Sequence, residues 1–102
     1  MNAATLTHPA AIDLSLALIC ELGAPLLHEV DGDELSMDWD IAGGKAVISI
    51  HYFGATDNLS VLIAQDELRW SVRIRKGLSP AQIATECRKA VERWVHKYIP
   101  NK

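Results

Sequence analysis

The stretch LSMDWDIAGGKAVISIHYF, residues 35–53, is the most informative about the fold, because apolar and polar side chains alternate on both sides of a glycine pair. Alternation with a period of two is typical of a β-strand with one buried face. One apolar set is Leu35, Met37, Trp39 and Ile41, and the other is Ile48, Ile50 and Tyr52. Gly43-Gly44 suits a tight hairpin turn. We therefore predict two antiparallel strands, at about 35–42 and 46–53.

Two more strands are predicted downstream, at about 59–65 and 68–76. Leu59, Val61 and Ile63 alternate with smaller or polar residues. The run LRWSVRIRKGLSP, residues 68–80, places Leu68, Trp70, Val72 and Ile74 on one face of a strand and Arg69, Ser71, Arg73 and Arg75 on the other. Short connections between all four strands predict an antiparallel meander.

A helix is predicted on each side of the strands, at about 9–22 and about 80–98. In the first helix, Ile12, Leu16, Ile19 and Leu22 recur at helical spacing, and Leu14 and Leu18 widen their face. A helix this apolar is expected to be covered on most sides, by its own domain or by a second copy of the chain. The second helix begins with a capping box, Ser79-Pro80-Ala81-Gln82.

These elements predict a single α+β domain over residues 1–102, in the order α-β-β-β-β-α. Each strand has one apolar face and each helix has an apolar side to bury, so a two-layer sandwich with both helices on one face of the sheet satisfies both. A chain of 102 residues is long enough to bury a core of its own.

Composition indicates a globular protein, and the charge is unevenly distributed along the chain. The sequence is 49% hydrophobic and 23% charged, with a net charge of −3. Residues 1–68 hold eleven acids and one base, whereas residues 69–102 hold two acids and nine bases. Cys20 and Cys87 are read as reduced, buried thiols. No apolar stretch approaches the length of a membrane span, and we expect a cytoplasmic protein.

The sheet face that the helices leave open is the predicted functional surface. It would carry acids on the first predicted strand, arginines on the last, and apolar side chains between them. The predicted binding residues are Asp38, Asp40, His51, Phe53, Leu62, Arg69, Arg73 and Arg75. Apolar patches on a surface often mark association. We expect a non-enzymatic protein-binding module, a homodimer in which the acidic edge of one subunit meets the arginine edge of the other.

Two other binding functions remain open. The bases of residues 69–97 would allow nucleic-acid binding through phosphate contacts. The acidic run EVDGDELSMDWD, residues 29–40, would allow a phage or mobile-element inhibitor, similar to anti-CRISPR proteins, to occupy a basic groove by mimicking phosphates.

Catalysis is not predicted. The histidines lack metal-ligand spacing, and no phosphate-cradling glycine loop or nucleophile motif occurs. We therefore assign no metal, cofactor or catalytic residue. An acid–base pair of His51 with Asp38 or Asp40 depends on the strand register.

The run LALICELGAPLLHEVDGDELSMDWD, residues 16–40, resembles the opening of type III secretion chaperones, in which a helix leads into an acidic first strand. The segment ERWVHKY near the end of the chain is similar to their last helix. The resemblance implies a non-enzymatic, acidic dimer that holds an extended segment of a secreted partner. The central dimer helix of that family has no counterpart here.

Overall fold

The computed structural model describes residues 9–99. Its elements are α1 (Pro9–Leu22), β1 (Leu27–Asp31), β2 (Glu34–Ile41), β3 (Ala46–Phe53), β4 (Asn58–Gln65), β5 (Leu68–Val72) and α2 (Pro80–Tyr98). The five strands form one sheet in the order β1-β2-β3-β4-β5, with every neighbouring pair antiparallel. The predicted α+β meander is thus confirmed, and the element order gains one strand.

The prediction of four strands was wrong, because Leu27–Asp31, where no strand is predicted, forms β1. Leu27–Asp31 pairs with β2 across a two-residue turn, Gly32-Asp33, in which Gly32 has a φ of 62°. All five residues of β1 are exposed. A strand buried on neither face does not need apolar alternation, so periodicity gives no signal for it.

The last strand is shorter than predicted, ending at Val72 rather than near residue 76. Gly77 in the connection to α2 has a φ of 87°, a conformation that glycine adopts without steric cost. Arg73 and Arg75 consequently lie in the connection and not on a strand. The bounds of both helices and of the other three predicted strands agree to within one residue.

The core lies between the helices and one face of the sheet, as predicted. Met37, Ile50 and Val61 are cross-strand partners on this face, and all three are buried. From the helices, the core receives Ala11, Leu14 and Leu18 of α1 and Ala84, Cys87, Ala90 and Trp94 of α2. Burying one large apolar side chain contributes roughly 1.5–3 kcal/mol to stability. Because residues of α1 and α2 share this one core, both helices pack on the same face of the sheet.

The buried side of α1 agrees only in part with the predicted one, since Leu14 and Leu18 are buried and Ile19 and Leu22 pack against the core. Ala11, Leu14, Ser15 and Leu18 are buried, whereas Ile12 is 42% exposed and Leu16 is 58% exposed. A helix that is apolar almost all round offers two stripes with the same period, and the period alone cannot choose between them. In the folded protein, the buried stripe is the one that contains the smaller residues.

Two polar contacts hold α1 in place. The indole Nε1 of Trp39 on β2 donates to the carbonyl oxygen of Gly23 at 2.8 Å, just after α1 ends. The guanidinium of Arg88 on α2 donates to Glu21 at 2.7 Å. The first contact places the end of α1 over β2, and the second fixes which flank of α1 faces α2.

The helix α2 is set by its cap and by aromatic packing. Ser79 and Gln82 form the predicted capping box, with the Ser79 hydroxyl accepting from the Gln82 amide at 3.2 Å. Near the other end, the Trp94 ring lies 5.3 Å from the ring of Trp70 on β5, edge to face. These contacts place α2 beside α1 and over the β4–β5 side of the sheet.

Candidate functional site

The open face, meaning the side of the sheet opposite the helices, is formed by alternate residues of the five strands. The register runs across the strands in rows, and the row Asp40, Val47, Ala64 and Arg69 passes from acid through apolar residues to base. The next row is Leu27, Asp38, Ser49, Leu62 and Ser71. The predicted order of acid, apolar centre and base is therefore present across the sheet.

The acidic side of the open face is broader than the sequence suggested. The newly found β1 adds Glu29 and Asp31 beside the carboxylates of β2, which are Glu34, Asp38 and Asp40. Four of these side chains are exposed, and Asp38 is half-buried. The missed residues had a detectable signal, because Gly32-Asp33 between two short runs of strand-forming residues is typical of a two-residue hairpin turn.

The centre of the open face mixes apolar and polar side chains. Phe53, at the end of β3, is 40% exposed, and Leu62 on β4 is half-buried. The His51 Nδ1 lies 3.1 Å from the Ser36 Oγ. The register pairs His51 with Ser36 and Ser60, while Asp38 faces Ser49. Neither Asp38 nor Asp40 is a cross-strand partner of His51, so the hypothesis of an acid–base pair between directly paired residues was wrong.

The three arginines do not form one row. Arg69 lies on β5 opposite Ala64, but its guanidinium turns back to donate to the carbonyl oxygens of Asp66 at 3.0 Å and Leu68 at 3.3 Å. Arg73 is exposed just beyond β5. Arg75 lines a shallow depression of about 300 Å³ beside α2, together with Glu86 and Lys89. The structure thus leaves Arg69 and Arg73 near the open face and takes Arg75 to the helix layer.

The charges of the open face have no ionic partners within the described chain. All three ion pairs found among residues 9–99 join helix side chains: Arg88 with Glu21, Arg88 with Glu92, and Lys89 with Glu86. Asp40 and Arg69 belong to one row but are separated by three strand steps, roughly 14 Å. Both charged edges are therefore available to another molecule.

A second depression, of about 140 Å³, lies where β3 and β4 meet the start of α2. Ile74, Leu78 and Ile83 line it on one side, and Tyr52 and Asp57 on the other. The Tyr52 hydroxyl donates to the Asp57 carboxylate at 3.2 Å. Burial raises the pKa of Tyr52, and the hydrogen bond to Asp57 acts in the same direction. The tyrosine is therefore held as a neutral donor.

Both cysteines are free, as predicted, but only one is buried. Burial raises the pKa of Cys87 to about 12, so its thiol stays protonated and unreactive. Cys20, on the outer side of α1, is exposed, and its predicted burial was wrong.

Among residues 9–99, no three histidine, cysteine, aspartate or glutamate side chains are grouped closely enough to hold a metal ion. None of the described helices combines the length and apolar character needed to cross a bilayer. Comparison of the chain with protein-family models, with curated proteins and with solved structures found no match.

Proposed function

We propose that this chain is a non-enzymatic protein-binding module that works through the open face of its sheet and forms a homodimer there. The observation that carries the proposal is the row from Asp40 through Val47 and Ala64 to Arg69, in which opposite charges lie at opposite edges with apolar residues between them. Free reduced thiols at Cys20 and Cys87 support a cytoplasmic setting.

The charge order selects the symmetry of the dimer. When two open faces meet, a two-fold axis running along the strands between them places the acidic β1–β2 side of one subunit over the β5 side of its partner. An axis across the strands would place acid over acid. Only the first arrangement lets Asp38 and Asp40 of each subunit approach Arg69 and Arg73 of the other.

The area of the open face suits such a contact. Three strands of eight residues and two of five, spaced about 4.8 Å apart with about 3.4 Å per residue, give a face of roughly 550 Å² on each subunit. Two such faces bury ~1,100 Å², just above the lower limit of about 1,000 Å² for a biological interface. Phe53 and Leu62 would supply the apolar contact, and we expect the dimer to be salt-sensitive because its ion pairs are exposed at the rim.

Sedimentation equilibrium of Arg73→Glu at low and high salt tests the proposal, with Arg93→Glu as the matched control. Both arginines are exposed, but Arg93 lies on α2, away from the open face. Arg73→Glu is expected to weaken dimerisation about tenfold at low salt, ~1.4 kcal/mol, and Arg93→Glu to leave it unchanged. Equal dimer fractions for the two variants, or a parent chain that stays monomeric, would overturn the proposed dimer.

A further inference from the structure

The helix layer does not extend over the whole sheet. Five strands spaced about 4.8 Å apart are roughly one strand wider than two packed helices. The Trp39–Gly23 hydrogen bond places the end of α1 over β2, and the Trp70–Trp94 contact places α2 over β5. Within residues 9–99, the strand that neither helix covers is β1, and every residue of β1 is exposed.

The flank of α1 that borders this uncovered strand is apolar. Glu21 bonds to Arg88 and so marks the flank that faces α2. At about 100° per residue, Ile12, Leu16 and Ile19 lie roughly 140–180° around the helix from Glu21, on the opposite flank. The side of α1 that has no helix beside it is therefore lined by branched aliphatic side chains.

The strand β1 continues this apolar surface. His28 and Val30 pair with Met37 and Leu35, which are buried in the core, so they lie on the helix side of the sheet. Leu26, in the turn before β1, is 63% exposed, and Val30 is 37% exposed. We call this surface the ledge: Ile12, Leu16, Ile19, Leu26, His28 and Val30. It is about 10 Å long, the rise of two helical turns.

The chain segment that forms the ledge is acidic. Residues 9–44 contain eight aspartates and glutamates and no lysine or arginine. Asp13 is exposed on α1 next to the apolar flank, and Glu29 and Asp31 are exposed on β1. An apolar strip within an anionic field attracts a ligand that is apolar on one face and cationic beside it.

We propose that the ledge is a docking site for an amphipathic helix of a partner protein, with lysine or arginine flanking its apolar face. Such a helix would lie beside α1 and over β1 as the third member of the helix layer, with apolar residues at positions i, i+4 and i+7 against Leu16 and Val30. A second copy of α1 fits less well, because it brings Asp13 and Glu21 and no base to an acidic site.

A fluorescently labelled peptide provides the test. The probe is a synthetic helix of leucines at i, i+4 and i+7 flanked by lysines, and the control peptide has glutamate in place of each lysine. The protein variants are Leu16→Glu and the matched Leu68→Glu, since Leu16 is 58% exposed and Leu68 is 60% exposed at the far edge of the sheet. Fluorescence anisotropy gives the affinities, and circular dichroism checks that both variants are folded.

We expect the lysine peptide to bind, the glutamate peptide not to bind, and Leu16→Glu to weaken binding about tenfold or more while Leu68→Glu does not. Equal loss in the two variants, or equal binding of the two peptides, would overturn the proposal. So would a lower dimer fraction for Leu16→Glu in sedimentation, since that result would assign the ledge to a second copy. Arg73→Glu on the open face is expected to leave peptide binding unchanged, so the proposed docking site and the proposed dimer can be refuted independently.

Discussion

Two tryptophans with opposite hydrogen-bonding states allow the packing of this fold to be tested directly. Trp39 and Trp94 are both buried, with 2% and 5% of their surfaces exposed. The Trp39 Nε1 donates to Gly23, but the Trp94 Nε1 finds no acceptor among residues 9–99. Replacing each by phenylalanine removes the same atoms from the core, so the two variants differ mainly in the hydrogen bond.

The expected magnitudes follow from this difference. The smaller phenylalanine leaves a cavity in either position, which costs roughly 1–2 kcal/mol. Trp39→Phe also loses a satisfied hydrogen bond, worth about 1 kcal/mol, so its total cost is about 2–3 kcal/mol. Trp94→Phe removes a buried donor without a partner, and this relief of about 1–2 kcal/mol offsets the cavity. The variants should differ by about 2 kcal/mol, or roughly thirtyfold in the unfolding equilibrium.

Urea unfolding followed by far-ultraviolet circular dichroism measures both free energies without relying on tryptophan emission. Similar slopes against urea concentration for the two variants and the parent would show that the unfolded states are comparable. A loss of stability for Trp94→Phe that equals or exceeds the loss for Trp39→Phe would contradict the expected effect of the two hydrogen-bonding states. The contact from Trp39 to Gly23 would then not be what fixes the end of α1 over β2.

Three further predictions concern the cysteines and the helix cap. In the native protein, a thiol reagent at neutral pH should modify Cys20 and spare Cys87, with both reacting after denaturation; mass spectrometry counts the adducts. Because the pKa of Cys87 is raised to about 12, the folded state disfavours the thiolate. The free energy of unfolding therefore keeps its full value below the pKa of Cys87 in the unfolded chain, near 9, and falls by about 1.4 kcal/mol per pH unit between that value and 12. The raised pKa of Tyr52 further lowers the free energy of unfolding above pH ~10. The urea midpoint should therefore fall less at alkaline pH for Cys87→Ala than for the parent. Ser79→Ala removes the cap acceptor and should cost about 1 kcal/mol in thermal or urea unfolding, whereas a cost near zero would show that the capping box contributes little.

The open face shows what strand alternation can predict and what it cannot. Alternation predicted which side chains of residues 35–53 face the core, because a strand has a period of two and its buried face is apolar. It could not tell which residues are cross-strand partners. The pairing of His51 with Ser36 rather than Asp38 follows from the length of the Ala42–Lys45 turn between β2 and β3.

The arginine segment shows a different limit. The alternation from Leu68 to Arg75 continues past the point where the strand ends, because Trp70, Val72 and Ile74 all pack towards the core although only the first two lie on β5. The chain must leave the sheet after Val72 to reach α2. That requirement separates Arg75 from Arg69, and no local pattern contains it.

The layers of this protein could be predicted from its amino-acid sequence: the period-two strands, the two helices, the capping box and the separation of acids from bases along the chain. These features are local, or follow from the need of each apolar face to be buried. Tertiary packing sets which stripe of α1 is buried, brings β1 into the sheet, and places an apolar flank beside a strand that the helices do not cover. An apolar helix and an exposed strand have no preferred face of their own, so their surroundings depend on neighbours that are distant in the chain.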